Sequence, residues 1–282
     1  MIEITSTAPL RAFADLLELR SGQRISASRA WRIESALRPL MRELHIADLD
    51  VLAAEMRYDD ALATRVVELL LNNETSFFRD AKQFELFDKG PLSAFANQCS
   101  RDRHLRLWSA GCSTGQEAYS LAMLLREAGP RWAGWKLDIV ATDISAAAIG
   151  RGREGRYAQF EIQRGLPVRS MLQWFRQDGS DWIVDPSLKA MVNFRVQNLL
   201  DQPADQFDAI LCRNLLMYLQ PEARRRVFDH LACALAPGGV LMLGAGEMAI
   251  GQTKHFVPHA EWRGFYASIK DVSASKPLCR TG

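Results

Sequence analysis

The sequence predicts an α/β protein: a parallel sheet covered by helices on both faces, carrying a small antiparallel β insertion and preceded by an all-α region. Three observations carry this expectation. Short apolar runs alternate with helical stretches from residue 105 onward. That alternation breaks between Gly155 and Met191. Residues 1–72 show helical stripes and no strand signals.

In the first region, Phe13, Leu16, Leu17 and Leu19 form one apolar stripe. Trp31, Ile33, Leu37, Leu40, Met41 and Leu44 form a second, and Leu62, Val66, Val67, Leu69 and Leu70 a third. In the α/β region the strand candidates are LRLWSAG, KLDIVATD, VNFRVQN, FDAILCRN, GGVLMLGAG and GFYASIK; helices are expected at Gln116–Arg126, Ser145–Arg151 and Pro221–Leu235. Within the break, Arg156–Phe160, Trp174-Phe175 and Trp182–Val184 read as short strands, with turns at Gln177–Ser180 and Asp185-Pro186. The expected organisation is a helical domain at 1–72, a linker at 73–92, an α/β domain at 93–272 with its insertion at about 155–191, and a flexible tail at 273–282.

Composition narrows the function classes. A net charge of +2 on 282 residues gives no case for nucleic-acid binding. No apolar run approaches the roughly 18 residues of a membrane span, and the first residues lack a secretion signal, so the cytoplasm is expected. Cys99, Cys112, Cys212, Cys233 and Cys279 form no CxxC pair and have no histidine at ligand spacing, so neither zinc nor a disulfide is expected, and most are read as small buried residues. A monomer is expected.

Ligands of open α/β sheets bind at the carboxyl ends of strands, so the polar strand ends are the first candidates. Trp108–Glu117 follows an apolar strand and leads into a helix; Gly111 and Gly115 permit tight backbone geometry and close ligand approach. The spacing is GxxxG, so neither GxGxxG nor a P-loop is matched. Asp143 ends the next strand. Its carboxylate can accept both hydroxyls of a ribose, or it can cap the helix near Ser145. Glu117 can face a cofactor's charged amine, or be a surface residue. Arg20, Arg24, Arg29, Arg32, Arg38 and Arg42 stand against one acid, Glu34, over Arg20–Arg42: a solvated face or a surface for an acidic partner.

Asn73-Glu74-Thr75-Ser76-Phe77-Phe78-Arg79 resembles the N-x-T-x-F-F-R segment of the CheR family, the chemotaxis-receptor glutamate methyltransferases. SAGCSTGQEAYSLAM (109–123) is similar to that family's cofactor turn, and ATDIS (141–145), FRVQNLL (194–200) and FDAILCRNLLMYL (207–219) follow in order. The resemblance covers nearly the whole chain. It implies a Rossmann-like methyltransferase sheet using S-adenosylmethionine (SAM), no metal, and a methyl-accepting chemoreceptor with glutamate-rich helices as partner. It also implies roles at matching positions. Asn73, Thr75 and Arg79 would lie at the cofactor and the transfer site, Glu117 at the methionine moiety and Asp143 at the ribose. Asn198 and Leu199 would flank the adenine, Arg213 and Asn214 would lie beneath the cofactor with Gly111 in its turn, and Tyr218 would sit near the transferred methyl. Arg79 and Tyr218 are the expected catalytic positioning groups. Phe77 and Phe78 read as core.

A glutamate side chain titrates near about 4.3, so it is ionised at pH 7 and needs no general base. With glutamate-rich helices as substrate, Arg24, Arg29 and Arg32 become candidate substrate contacts. The segment Arg164–Arg169 has one glycine where some members carry a glycine-rich loop that docks a tethering peptide; no tight binding of such a peptide is expected. Three rival functions compete with this one. A SAM enzyme for bases or small molecules is weakened by the absence of an Asn/Asp-Pro-Pro run after FDAILC. A silent SAM-binding module is opposed by the intact Asn73–Arg79 segment. An NAD-dependent dehydrogenase is disfavoured by the missing GxGxxG.

Overall fold

Asp48 and Asp59 show how local chemistry starts the helices of the first region: their carboxylates accept the backbone amides of Val51 (2.9 Å) and Leu62 (3.0 Å), capping α3 (Leu49–Glu55) and α4 (Asp60–Leu70). They follow α1 (Ala8–Ser21) and α2 (Trp31–Glu43). The computed structural model describes residues 8–26, 29–97 and 103–274; Cys99, Cys279 and residues 275–282 of the expected tail lie outside them. The chain forms two units, Met1–Asn72 with Met217–Arg224, and Asn73–Leu216 with Arg225–Gly282.

The helical unit buries Phe13, Leu17, Ile33, Leu37, Leu40, Leu52, Val66 and Leu70. Leu19, Trp31, Leu44 and Leu69, placed in the apolar stripes above, are exposed. At about 100° per residue, Leu19 points well away from the Phe13–Leu17 face and Trp31 away from Ile33–Leu37. The seven-residue α3 is too short to register as a stripe. Met217–Arg224 is held by a bridge between Gln23 and Leu219, by the Arg24 amide on the Tyr218 carbonyl (2.8 Å), and by the Gln220 amide on the Gly22 carbonyl (2.9 Å).

The second unit opens with α5 (Ala81–Phe87), a π-helical turn (Asp88–Leu92) and α6 (Ser93–Asn97). The main sheet has the order β6-β2-β1-β7-β8-β10-β9. Its parallel strands are β1 (His104–Ala110), β2 (Lys136–Asp143), β6 (Val192–Val196), β7 (Phe207–Cys212) and β8 (Leu235–Leu243). β9 (Phe256–Pro258) and β10 (Phe265–Ser268) close it antiparallel. Every residue of β7 is buried, as a strand covered on both faces requires. The helices are α7 (Gln116–Glu127), α8 (Ala146–Glu154), α12 (Pro221–Ala234) and α13 (Ile269–Ala274).

The insertion holds β3 (Arg156–Ala158), α9 (Gln159–Gln163), α10 (Val168–Trp174), β4 (Phe175–Asp178), β5 (Asp181–Val184) and α11 (Pro186–Lys189). Its strands form an antiparallel sheet ordered β3-β5-β4, with Asp178 paired to Asp181 across a Gly179-Ser180 turn. The first strand stops at Ala158, short of the expected Phe160, because Glu161 accepts the Ala158 amide (3.0 Å) and turns the chain into α9.

Register fixes where a site can form. Ala110 pairs with Thr142, Asp143 with Val196, and Cys212 with Leu243. The residues that follow, from Gly111, Gln197, Arg213 and Gly244, therefore emerge along one carboxyl edge of the sheet.

Candidate active site

Besides Arg103, which precedes β1, four described non-glycine residues of the second unit adopt left-handed backbone: Phe78 (φ 45°), Asp80 (58°), Ser113 (50°) and Asn214 (57°). Such conformations are costly and persist where surrounding bonds enforce them. All four lie in the segment 73–80 or just after a parallel strand, and hydrogen bonds tie these pieces together.

The glycine turn is built first. Gly111 (φ 78°) and Gly115 (φ 95°) require left-handed backbone. A Cβ on Gly111 would lie 2.8 Å from Leu215 Cδ2, and one on Gly115 2.9 Å from the Phe194 ring. Both glycines are thus demanded by the protein's own packing as well as by any ligand's approach. Asp143 braces the turn, its carboxylate accepting the amides of Ser113 (2.8 Å) and Ser145 (3.0 Å). The cap of α8 is Ser145, whose hydroxyl accepts the Ala148 amide (3.0 Å), so Asp143 is not the helix cap. Gln197 donates its amide to the Asp143 carbonyl (2.9 Å), which places Asn198 and Leu199 beside the same strand end. Asn198 forms an Asx turn onto the Leu200 amide (3.0 Å), and the Leu199 carbonyl meets His230 Nδ1 (3.0 Å).

The segment 73–80 is pinned onto this edge. Ser113 donates its hydroxyl to the Asn73 carbonyl (2.7 Å), and the Phe78 amide donates to the Ser120 hydroxyl (2.9 Å). Phe77 is fully buried, edge-on to Tyr157 and Phe175 of the insertion, and Phe78 packs on Phe84. Glu74 pairs with Arg164 (2.5 Å), and a Cβ on Gly165 (φ 90°) would fall 2.2 Å from the Phe77 carbonyl oxygen. Thr75 is half-buried, and Arg79 donates to the Glu74 carbonyl (2.9 Å).

Arg213, just past β7, is the electrostatic centre. Its side chain is 2% exposed. Nη1 donates to Glu117 Oε2 (3.0 Å), Nη2 to Asp80 Oδ2 (2.9 Å) and the Arg79 carbonyl (2.5 Å), and Nε to Gln83 Oε1 (3.2 Å). Its guanidinium lies over the Phe84 ring at 5.2 Å. Glu117 is no surface residue: its side chain is 12% exposed and its other oxygen accepts the Ser109 hydroxyl (2.7 Å). Burial pushes its carboxyl above the usual range, opposed by Arg213, Ser109 and Arg79. Glu247 accepts the amides of Asn214 (2.7 Å) and Gly244 (2.9 Å).

Two carboxylates therefore flank a left-handed glycine turn. A ribose diol and an ammonium group are both hydrogen-bond donors, so this acceptor set fits the two donor ends of SAM. Among the described residues no cluster of metal-binding side chains occurs; Cys112 and Cys212 are buried and Cys233 is exposed.

Tyr218 and the arginines Arg24, Arg29 and Arg32 belong to the helical unit. They line one groove of about 1110 Å³ together with Arg224, Asp15 and Glu18. Arg24 pairs with Glu18 (3.1 Å), and Arg29 lies 5.9 Å from the Tyr218 ring centre. Sequence reasoning does not single out Ser109, Ser113, Asp80, Gln83 or Glu247. Ser109 acts through the Glu117 carboxylate and the others through a backbone or through Arg213, and no periodic pattern reveals such contacts.

The family described as CheR methyltransferase, SAM binding domain, matches residues 73–263. The chain is 37% identical over 257 residues to a chemotaxis protein methyltransferase of Vibrio parahaemolyticus, covering 87% of this chain and 91% of that one. It is 33% identical over 260 residues to chemotaxis protein methyltransferase 1 of Pseudomonas aeruginosa, covering 89% and 94%. The SAM-complexed glycopeptide N-methyltransferase MtfA aligns with 11% identity and a TM-score of 0.36 over 62% of this chain and 58% of that one, a likeness too low to add to the assignment. Family model and relatives span the glycine turn, the strand ends and the Asn73–Arg79 segment alike, and the chain belongs to the CheR family of SAM-dependent methyltransferases.

Proposed function

We propose that the protein methylates glutamate side chains of a chemoreceptor-type signalling protein, forming glutamate methyl esters. The observation that carries this reading is the pinning of Asn73–Arg79 onto the strand-end edge, by Ser113 on the Asn73 carbonyl and Arg213 on the Arg79 carbonyl. That places the segment with the strongest family resemblance beside the glycine turn. Strained, many-bonded backbone of this kind clusters at active sites and ligand clamps, which supports a functional role for the segment.

When bound, SAM supplies a methyl group already activated by positive sulfur, with a neutral leaving group. Glu117 would hold its ammonium end and Asp143 its ribose, with Asn198 and Leu199 at the base and Asn73, Thr75, Gly111 and Asn214 shaping the turn. The acceptor glutamate is ionised at pH 7, so the protein has no proton to remove. Arg79 would orient the incoming carboxylate through its planar fork. Its hold must stay loose, because stabilising the ground state slows attack. Arg24, Arg29 and Arg32 would attract the acidic faces of receptor helices to the groove they line.

Labelling of candidate receptors with methyl-tritiated SAM tests the reading. Label released as methanol by mild base identifies a carboxyl ester; base-stable label, or none with any receptor, overturns it.

A further inference from the structure

Arg213 is bonded through all three guanidinium nitrogens, and two carboxylates share it: Glu117 at 3.0 Å and Asp80 at 2.9 Å. Only Glu117 belongs to the proposed cofactor site. Asp80 sits at φ 58° in the segment between Arg79 and α5, with a side chain 33% exposed. A single buried cation between two anions is a balance: strengthening one arm weakens the other.

We infer that Asp80 is a positioning residue that draws the Arg213 guanidinium off Glu117, leaving Glu117 charge to hold the cationic end of the cofactor. Without the Asp80 charge, Arg213 leans fully on Glu117 and competes with the incoming ammonium group. Gln83, a neutral acceptor at 3.2 Å, sets the orientation of the fork without altering the charge balance. The inference rests on Glu117 being the ammonium acceptor, as proposed above.

The groups facing Glu117 are few. Arg213 follows β7, Arg79 comes from the linker, and the Ser109 hydroxyl comes from β1. Burial pushes the Cys112 and Cys212 thiols up, and the Glu117 charge adds to both, with Asp143 also acting on Cys112 and Glu247 on Cys212. Asp80 reaches Glu117 only through Arg213. Burial raises the Glu117 carboxyl, so ammonium binding weakens on the acid side as Glu117 protonates. Removing the Asp80 charge lets Arg213 hold Glu117 ionised to lower pH, and the acid-side loss moves down.

Calorimetric titration of the full chain with S-adenosylhomocysteine, between about pH 5 and pH 8, tests this; the ligand keeps the ammonium group and cannot turn over. Asp80→Asn is the informative variant, because asparagine tolerates left-handed backbone. It is expected to weaken binding about fivefold at the upper pH and to shift the acid-side loss to lower pH. Asp80→Glu, which restores the charge, should move both back towards wild type, and Gln83→Leu should weaken binding with the acid limb in place. Glu117→Gln separates the two possible failures. If it binds as wild type, the reading of Glu117 falls. If it binds weakly and flatly with pH while Asp80→Asn keeps the wild-type acid limb, the role of Asp80 alone falls.

Discussion

Arg213 and the arginines of the helical-unit groove carry the same charge in opposite circumstances. Arg213 is 2% exposed and meets two carboxylates, a carbonyl and an amide oxygen. Arg24 is 61% exposed and pairs with Glu18, while Arg29 leans on the Tyr218 ring. Removing one partner of a buried ion pair leaves uncompensated charge, whereas exposed pairs contribute little. Under the proposed function the two kinds of arginine would serve different ends, one fixing the cofactor site and the others attracting an acidic receptor surface. Arg213→Met should test the contrast most severely: a loss of about 3–5 kcal/mol in stability by denaturant unfolding, against about 0.5 kcal/mol or less for Arg29→Met. Similar losses at both positions would break the distinction.

Gly165 sharpens the same contrast between fixed and open parts. The insertion grips the segment 73–80 through Glu74–Arg164, through Phe77 between Tyr157 and Phe175, and through Gly165 under the Phe77 carbonyl. A Cβ at 2.2 Å from a backbone oxygen cannot be relieved by turning a side chain, and φ 90° disfavours any other residue. Gly165→Ala should cost about 1–3 kcal/mol and lower methyl transfer together with cofactor affinity. Thermal unfolding and calorimetry on the variant check it; unchanged affinity would show that the insertion and the segment are independent.

The same distinction governs what could be read from sequence. The sheet was legible because buried parallel strands such as FDAILC are continuous apolar runs, and the places of Glu117 and Asp143 beside the glycine turn because they follow from the order of strand, turn and helix. Phe77 was legible as core, and its ring is fully buried. Asp80, Gln83 and Glu247 were not legible, since each matters only through a partner brought near by folding: Gln83 is bonded to a residue 130 positions away. Leu19 and Trp31 failed for the converse reason: apolar character marks a buried face only at the right helical angle.

Glu117 gives a smaller, pH-dependent test of the fixed region. Its folded carboxyl is raised above the ordinary value, so the protein takes up a proton on folding in the interval between the two. The stability this contributes is complete below about pH 4.3 and is lost as pH rises through the raised value. Glu117→Gln has no such loss. Its stability relative to wild type should therefore climb with pH across that interval, by at most about 1.4 kcal/mol per pH unit, and then level off. Paired unfolding curves at several pH values check the sign; a difference falling with pH would mean that Arg213 and Ser109 outweigh burial.

The open region should show the smallest effect and a kinetic one. Arg29→Glu with Arg32→Glu removes two charges from the groove and inserts two of opposite sign, without touching Arg213 or the strand ends. Exposed charges act mainly on encounter and weak docking, so KM for a receptor fragment should rise about threefold to tenfold with kcat nearly unchanged, and the rise should shrink in high salt. Cofactor affinity should stay at the wild-type value. A fall in kcat at saturating receptor would mean that these arginines align the acceptor carboxylate during transfer, and the line between a fixed centre and an open docking face would have to be redrawn through Tyr218, which shares the groove with them.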